Sequence, residues 1–124
     1  MEEYYIEATK SSPEISFDPD ENTLTIKGES YPENSFSFYK PIFELIEKAI
    51  ANNDEFKLII EVSYLNTSST KSFMNLLDIA EEGYQKGKNI SVEWYYKKDN
   101  EHSYELAMDF KEYLEMPFAI MTSD

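Results

Sequence analysis

Asn66-Thr67-Ser68-Ser69-Thr70 sets four consecutive hydroxyl side chains between an apolar run ending at Leu65 and a helix-like run beginning near Lys71. The first turn of a helix exposes unpaired N–H groups and the positive end of its dipole. A phosphate esterified to one of these hydroxyls would find donors there and would add nearly two negative charges to the surface. Asn, Ser and Thr are also preferred N-caps, so capping alone accounts for the same residue types. One member of the run can cap while another is modified, and the residues alone leave Thr67, Ser68, Ser69 and Thr70 all open. Lys71 stands four residues after Thr67, where its ammonium can pair with a phosphate or simply be solvated.

The remaining reactive residues assemble nothing comparable. Asp18-Pro19-Asp20-Glu21-Asn22, with Glu29 at the twelfth place, has the outline of a calcium loop. Thr23 stands where the sharp turn needs Gly, so the segment reads as a hairpin turn and no metal is expected. His102 is the one histidine, among Asp99, Asn100 and Glu101 in a loop or helix start with no nucleophile nearby, and it reads as an exposed capping-region residue. Gly28, Gly83 and Gly87 make no phosphate-cradling motif, and Glu81-Glu82 reads as a solvated helix face. No catalytic constellation and no cofactor are expected; a small hydrolase working through Asp or Glu pairs is the enzyme alternative.

The elements that must carry the hydroxyl run follow from periodicity. Tyr4 to Ala8 reads as an edge strand. Ile15 with Phe17 and Leu24 with Ile26 form a hairpin around the Pro- and Asp-rich turn, its second arm ending at Gly28. Tyr39, Ile42, Phe43, Ile46 and Ile50 predict a helix over 38–51, starting either at Pro41 or near Asn34. Leu58, Ile60, Val62 and Tyr64 should share the inner face of a strand over 56–65, with Ile59, Glu61, Ser63 and Leu65 outside. Phe73, Leu76, Leu77, Ala80 and Tyr84 predict a second helix, closed by Gly87. Ile90, Val92, Trp94 and Tyr96 alternate along a strand over 89–97, as core residues do. Leu106, Ala107, Phe110, Tyr113 and Leu114 form the inward stripe of a helix over 103–115, and Phe118 to Met121 suggests a last strand.

Strand–helix–strand units imply parallel neighbours joined by right-handed crossovers. Glu61, Ser63, Ser91, Glu93 and Lys97 on the second strand face leave no room for a second helix layer. The expected architecture is therefore α/β in two layers, a mixed sheet of N-terminal hairpin plus parallel strands with helices on one face. The 124 residues, undivided by linker or repeat, read as a single domain over 1–124. Apolar residues make up 41% and aromatics 15%, which suits a packed core. The 25 Asp and Glu against 11 Lys and Arg leave a formal −14, which disfavours nucleic acid and anionic membranes as partners. There is no cysteine, no signal-peptide pattern and no apolar run of about 20 residues, so a cytoplasmic protein is expected.

That element order is similar to the STAS-like fold of anti-sigma-factor antagonists, whose phosphorylatable hydroxyl follows a central strand. Five segments carry a closer likeness: Glu7 to Ile15, Gly28 to Asn34, Phe38 to Pro41, Tyr64 to Ser69 and Trp94 to Tyr96. Together they resemble the SiaC family of bacterial regulatory phosphoproteins. The resemblance implies a non-enzymatic partner switch that binds and activates a diguanylate cyclase when unphosphorylated, promoting cyclic di-GMP signalling and biofilm. It further implies a cognate Ser/Thr kinase and a PP2C-type phosphatase, with Thr67 in the place of the modified threonine. Ser68 and Ser69 stay as alternatives, and Asn66, Ser68, Ser69, Lys71 and Met74 as partner contacts. Anti-sigma antagonists carry Asp before the phosphorylated Ser, and Asn66 stands there instead; an anti-sigma antagonist is the alternative function.

Overall fold

Each crossover in this chain moves one strand further in the same direction, and that sets the architecture. The computed structural model describes residues 1–123. The strands are β1 (Tyr4–Ile6), β2 (Glu14–Asp18), β3 (Thr23–Ser30), β4 (Glu55–Leu65), β5 (Asn89–Tyr96) and β6 (Phe118–Thr122). The helices are α1 (Ser35–Asn52), α2 (Thr67–Gln85) and α3 (Glu101–Glu112). They build a six-stranded sheet in the order β1-β2-β3-β4-β5-β6, antiparallel across β1–β2–β3 and parallel from β3 onward. Right-handed crossovers that never reverse direction must all lie on one side of the sheet. The expected mixed α/β two-layer arrangement is what forms.

The layer between sheet and helices is the core. Ile15, Phe17, Leu24, Ile26, Leu58, Ile60, Val92 and Trp94 from the strands meet Tyr39, Ile42, Ile46, Phe73, Leu76 and Leu77 from the helices, all buried. On the open face Glu61 and Glu93 are half-buried, as the alternation requires. Lys57 Nζ lies 2.9 Å from Glu93, and the Tyr95 hydroxyl donates to the same carboxylate at 2.8 Å. The Lys57 bond, then the Tyr95 bond, holds Glu93 below the usual carboxylate range. The 18–22 segment is a hairpin turn, its Asp18 carboxylate accepting from the N–H of Asp20 at 3.0 Å.

Of the two starts open to α1, the one near Asn34 is found: the helix begins at Ser35, capped by Asn34 Oδ1 accepting from Ser37 N at 3.1 Å, with Pro41 inside it. Other details differ from the periodic reading. Strand β3 does not stop at Gly28. That residue adopts φ +124°, open to Gly alone, and the strand continues to Ser30. Beside it the register slips: Gly28 pairs with Val62 but Glu29 with Tyr64, leaving Ser63 as an extra residue in β4. A one-residue insertion reverses which side chains face inward. Leu65, expected outside, is therefore buried, and Tyr64, expected inside, is exposed. Tyr113 is also exposed, at 81%, because α3 ends at Glu112 before the stripe can continue. Gly87 does close α2: at φ +93° it lets Gly87 N donate to Tyr84 O and Lys88 N to Gly83 O.

Candidate functional site at the β4–α2 corner

The bulge in β4 aims the chain into α2. Beyond it Asn66 N still donates to Ser30 O at 3.0 Å, holding the corner to the end of β3. Asn66 then caps: its Oδ1 accepts from Ser69 N at 2.8 Å and from the Ser68 hydroxyl at 3.4 Å. Its carbonyl accepts from Thr70 N at 2.9 Å. Helix α2 thus opens at Thr67, one residue ahead of Ser68 and a full turn ahead of Lys71, where sequence periodicity placed its start. The hydroxyl run is the first turn itself.

Wrapped into one turn, the four hydroxyls part company. Ser69 is fully buried; its Oγ lies 2.8 Å from Ser30 Oγ, which in turn lies 2.6 Å from the Tyr39 hydroxyl. Thr70 is half-buried and donates to Asn66 O at 2.9 Å. Ser68 is exposed but leans on the cap. Thr67 is exposed, and its hydroxyl has no hydrogen-bond partner among the described residues. Ser69 therefore corrects the expectation: its hydroxyl is spent inside the protein and offers neither a kinase nor a partner any surface. Burial pushes the Tyr39 phenol well above its ordinary range, against a smaller opposing effect of Ser30, so this chain of hydroxyls stays neutral.

Lys71 and Met74 both reach solvent. Lys71 makes no ion pair among the described residues. Met74, 47% exposed, borders a shallow groove between α2 and α3 with Leu77, Phe110 and Tyr113. His102 is also exposed, on the first turn of α3.

Periodicity missed what lies beside Thr67. The Tyr31 and Tyr64 rings meet edge to face at 6.0 Å, and Tyr64 stacks on His102 at 5.9 Å. Tyr31 follows β3, Tyr64 lies at the end of β4 and His102 in the first turn of α3, so a row of exposed rings runs across the carboxyl end of the parallel strands. Beneath it Asn100 Nδ2 donates to Ser63 O at 3.0 Å and the Ser103 hydroxyl to Val62 O at 2.8 Å. Those bonds take up the carbonyls that the bulge leaves beyond the last β4–β5 pair, Ile60 with Trp94. The available signal was positional: aromatic residues where parallel strands end, the edge on which α/β folds gather their sites. The arrangement holds no nucleophile–base pair. It offers an exposed hydroxyl, that of Thr67, three residues after the exposed Tyr64 ring.

The family model described as SiaC family regulatory phosphoprotein matches residues 6–123. An uncharacterized protein of Pseudomonas aeruginosa (strain UCBPP-PA14) is 38% identical over 125 residues, covering 100% of this chain and 99% of the relative. Apo-SiaC from Pseudomonas aeruginosa superposes with a TM-score of 0.91 at 37% identity, covering 98% of this chain and 99% of that one. SiaC in a crystal structure of the diguanylate cyclase SiaD with its activator SiaC, also from Pseudomonas aeruginosa, gives 0.92 at 37% identity, covering 97% and 99%. The chain belongs to the SiaC family of regulatory phosphoproteins.

Proposed function

We propose that this member of the SiaC family is a non-enzymatic switch that binds and activates a diguanylate cyclase in the cytoplasm and is turned off by phosphorylation of Thr67. The observation that carries the reading is the state of the Thr67 hydroxyl, exposed and unpartnered three residues from the exposed Tyr64 ring. The relative that activates a cyclase shares the fold over essentially its whole length. Aromatic rings that are exposed in the free protein and can be buried on docking are the residues that anchor interfaces.

A phosphate on Thr67 acts on that surface in two ways. It brings nearly two negative charges that must be desolvated before a partner can seat. It also adds bulk at the helix mouth, against groups fitted to a hydroxyl. A Ser/Thr kinase and a PP2C-type phosphatase acting on the same residue complete the switch. Lys71, one turn on, is placed to pair with the phosphate once it is attached.

The test is phosphorylation by the kinase of the same organism, mapping of the site, and titration of the cyclase with each form. Thr67→Ala should bind and activate the cyclase yet escape the kinase. Thr67→Asp should weaken binding partially, because a carboxylate carries less charge and fewer acceptor oxygens than a phosphate. Phosphate found on a distant segment, or stoichiometric Thr67 phosphate that leaves cyclase affinity unchanged, overturns the reading.

A further inference from the structure

The two edges of the sheet are finished differently. Edge strand β1 is three residues long and flanked by Glu2, Glu3 and Glu7, the usual protection against edge-to-edge pairing. Edge strand β6, Phe118-Ala119-Ile120-Met121-Thr122, is five residues long and carries neither charge nor Pro. Its backbone orientation follows from its bonds to β5. Val92 N donates to Pro117 O, and Ser123 N donates to Tyr96 O. Odd-numbered residues of β6 therefore turn their N–H and C=O toward β5, and the N–H and C=O of Phe118, Ile120 and Thr122 point out of the sheet.

We infer that this edge pairs with a second copy of the chain, β6 against β6 about a two-fold axis at Ile120. The geometry is self-complementary. Placing Ile120 opposite its own copy makes it a hydrogen-bonded antiparallel pair, and Phe118 then meets Thr122 of the other copy in the same pattern. Every outward N–H and C=O of the strand gains a partner. Charge favours the same site. A chain of formal charge −14 resists its own kind over most of its surface, and the β6 edge is a stretch free of that charge.

Helix α3 supplies the rest of the contact. It connects β5 to β6, while α2 connects β4 to β5, so the flank of α3 turned away from α2 overlooks the free edge. Residues of a helix are about 100° apart. With Ser103, Ala107 and Phe110 buried and Tyr113 on the α2 groove, Tyr104 and Met108 fall on that outer flank. They are 40% and 44% exposed; the Tyr104 ring leans on Tyr96 with centroids 5.2 Å apart, and the rest of the pair faces solvent. Trp94, in register with Ile120, touches both Ser103 and Phe110, so the axis passes beside the middle of α3. Thr67 lies beyond β5 from this edge and stays free in both copies, so the pairing is independent of the cyclase reading.

The experiment uses the full chain in sedimentation equilibrium together with single-cysteine cross-linking. The protein has no cysteine of its own, so each introduced thiol reports alone. Ile120→Cys should form a disulfide-linked dimer on mild oxidation, because Cα atoms of a hydrogen-bonded antiparallel pair are about 5.5 Å apart. Thr122→Cys should not, since the two copies of that residue lie roughly 14 Å apart in this register. Thr122→Pro removes an outward N–H that bonds nothing among the described residues, so it should keep the melting temperature and weaken the dimer about tenfold or more. Met108→Glu should weaken it as well. A wild-type protein that stays monomeric to about 1 mM overturns the inference. So does cross-linking at Thr122→Cys as efficient as at Ile120→Cys, or a dimer indifferent to both Thr122→Pro and Met108→Glu.

Discussion

Ser30 Oγ and Ser69 Oγ lie 2.8 Å apart, and both residues are fully buried. This bond ties the end of β3 to the first turn of α2, directly beneath the exposed Thr67 and Ser68. Ser69→Ala should cost about 1 kcal/mol in urea unfolding, the net worth of one hydrogen bond, because Ser30 keeps the Tyr39 hydroxyl at 2.6 Å. Mapping the phosphorylated Ser69→Ala protein should give the same site and stoichiometry as the parent. A drop in phosphate incorporation with the fold intact would place the modification on Ser69 and contradict its burial.

Tyr64 owes its exposure to the bulge in β4, so its ring can be removed at little cost to the core. Tyr64→Ala should leave the melting temperature within a few degrees of the parent. It should raise the Kd for the cyclase by about tenfold or more, as truncation of a central aromatic does in an interface. Tyr31→Ala, which removes the edge-to-face neighbour, should act in the same direction. Titration calorimetry on both variants measures this; unchanged affinity in both removes the ring row from the docking surface.

Gly83 brings α2 close to α1. A Cβ built there would lie 2.8 Å from Ile50 Cγ2. Helix propensity favours Ala over Gly by about 1 kcal/mol, whereas overpacking a rigid β-branched neighbour costs roughly 1–3. The clash should win, and Gly83→Ala should destabilise the protein. In an Ile50→Ala background the same change should be neutral or stabilising, a coupling that a double-mutant cycle resolves.

Glu81 links α2 to the segment entering β6. Its Oε1 accepts from the N–H groups of Glu115 and Met116, both at 3.0 Å, and its Oε2 from Gln85 Nε2 at 2.7 Å. Burial raises its pKa, but the bonds from Gln85, Met116 and Glu115 together outweigh that and hold it below the ordinary value. A carboxylate depressed in the folded state stabilises fully above its unfolded pKa, about 4.3, and loses that contribution as pH falls through the folded value. Urea midpoints of the wild type and Glu81→Gln should therefore differ most near neutrality and converge below pH 4. A gap that stays constant from pH 7 to pH 3 would show that the ionised carboxylate has no special part.

How much was legible in the sequence depends on the range of the interactions involved. Near-neighbour physics sufficed for the hairpin around Asp18 to Asn22, the helix stripes of Ile42, Ile46 and Ile50 and of Phe73, Leu76 and Leu77, the Gly87 stop and the Trp94 alternation. Each depends on residues a few positions apart, and strand–helix–strand order with right-handed crossovers then leads to helices on one face. The hydroxyl run at the mouth of α2 was visible for the same reason. Which hydroxyl is free was not. That is decided by a register slip between Gly28 and Glu29 on one strand and the extra Ser63 on another, which turns Tyr64 out and Leu65 in. It is decided also by Ser30, thirty-nine positions from Ser69, arriving at hydrogen-bond distance. Composition and periodicity carry no information on contacts of that range, because a bulge costs one residue locally and changes inward for outward everywhere beyond it. The chain's own pattern determined the layers; only the packed sheet decided that Ser69 is spent inside while Thr67 faces solvent.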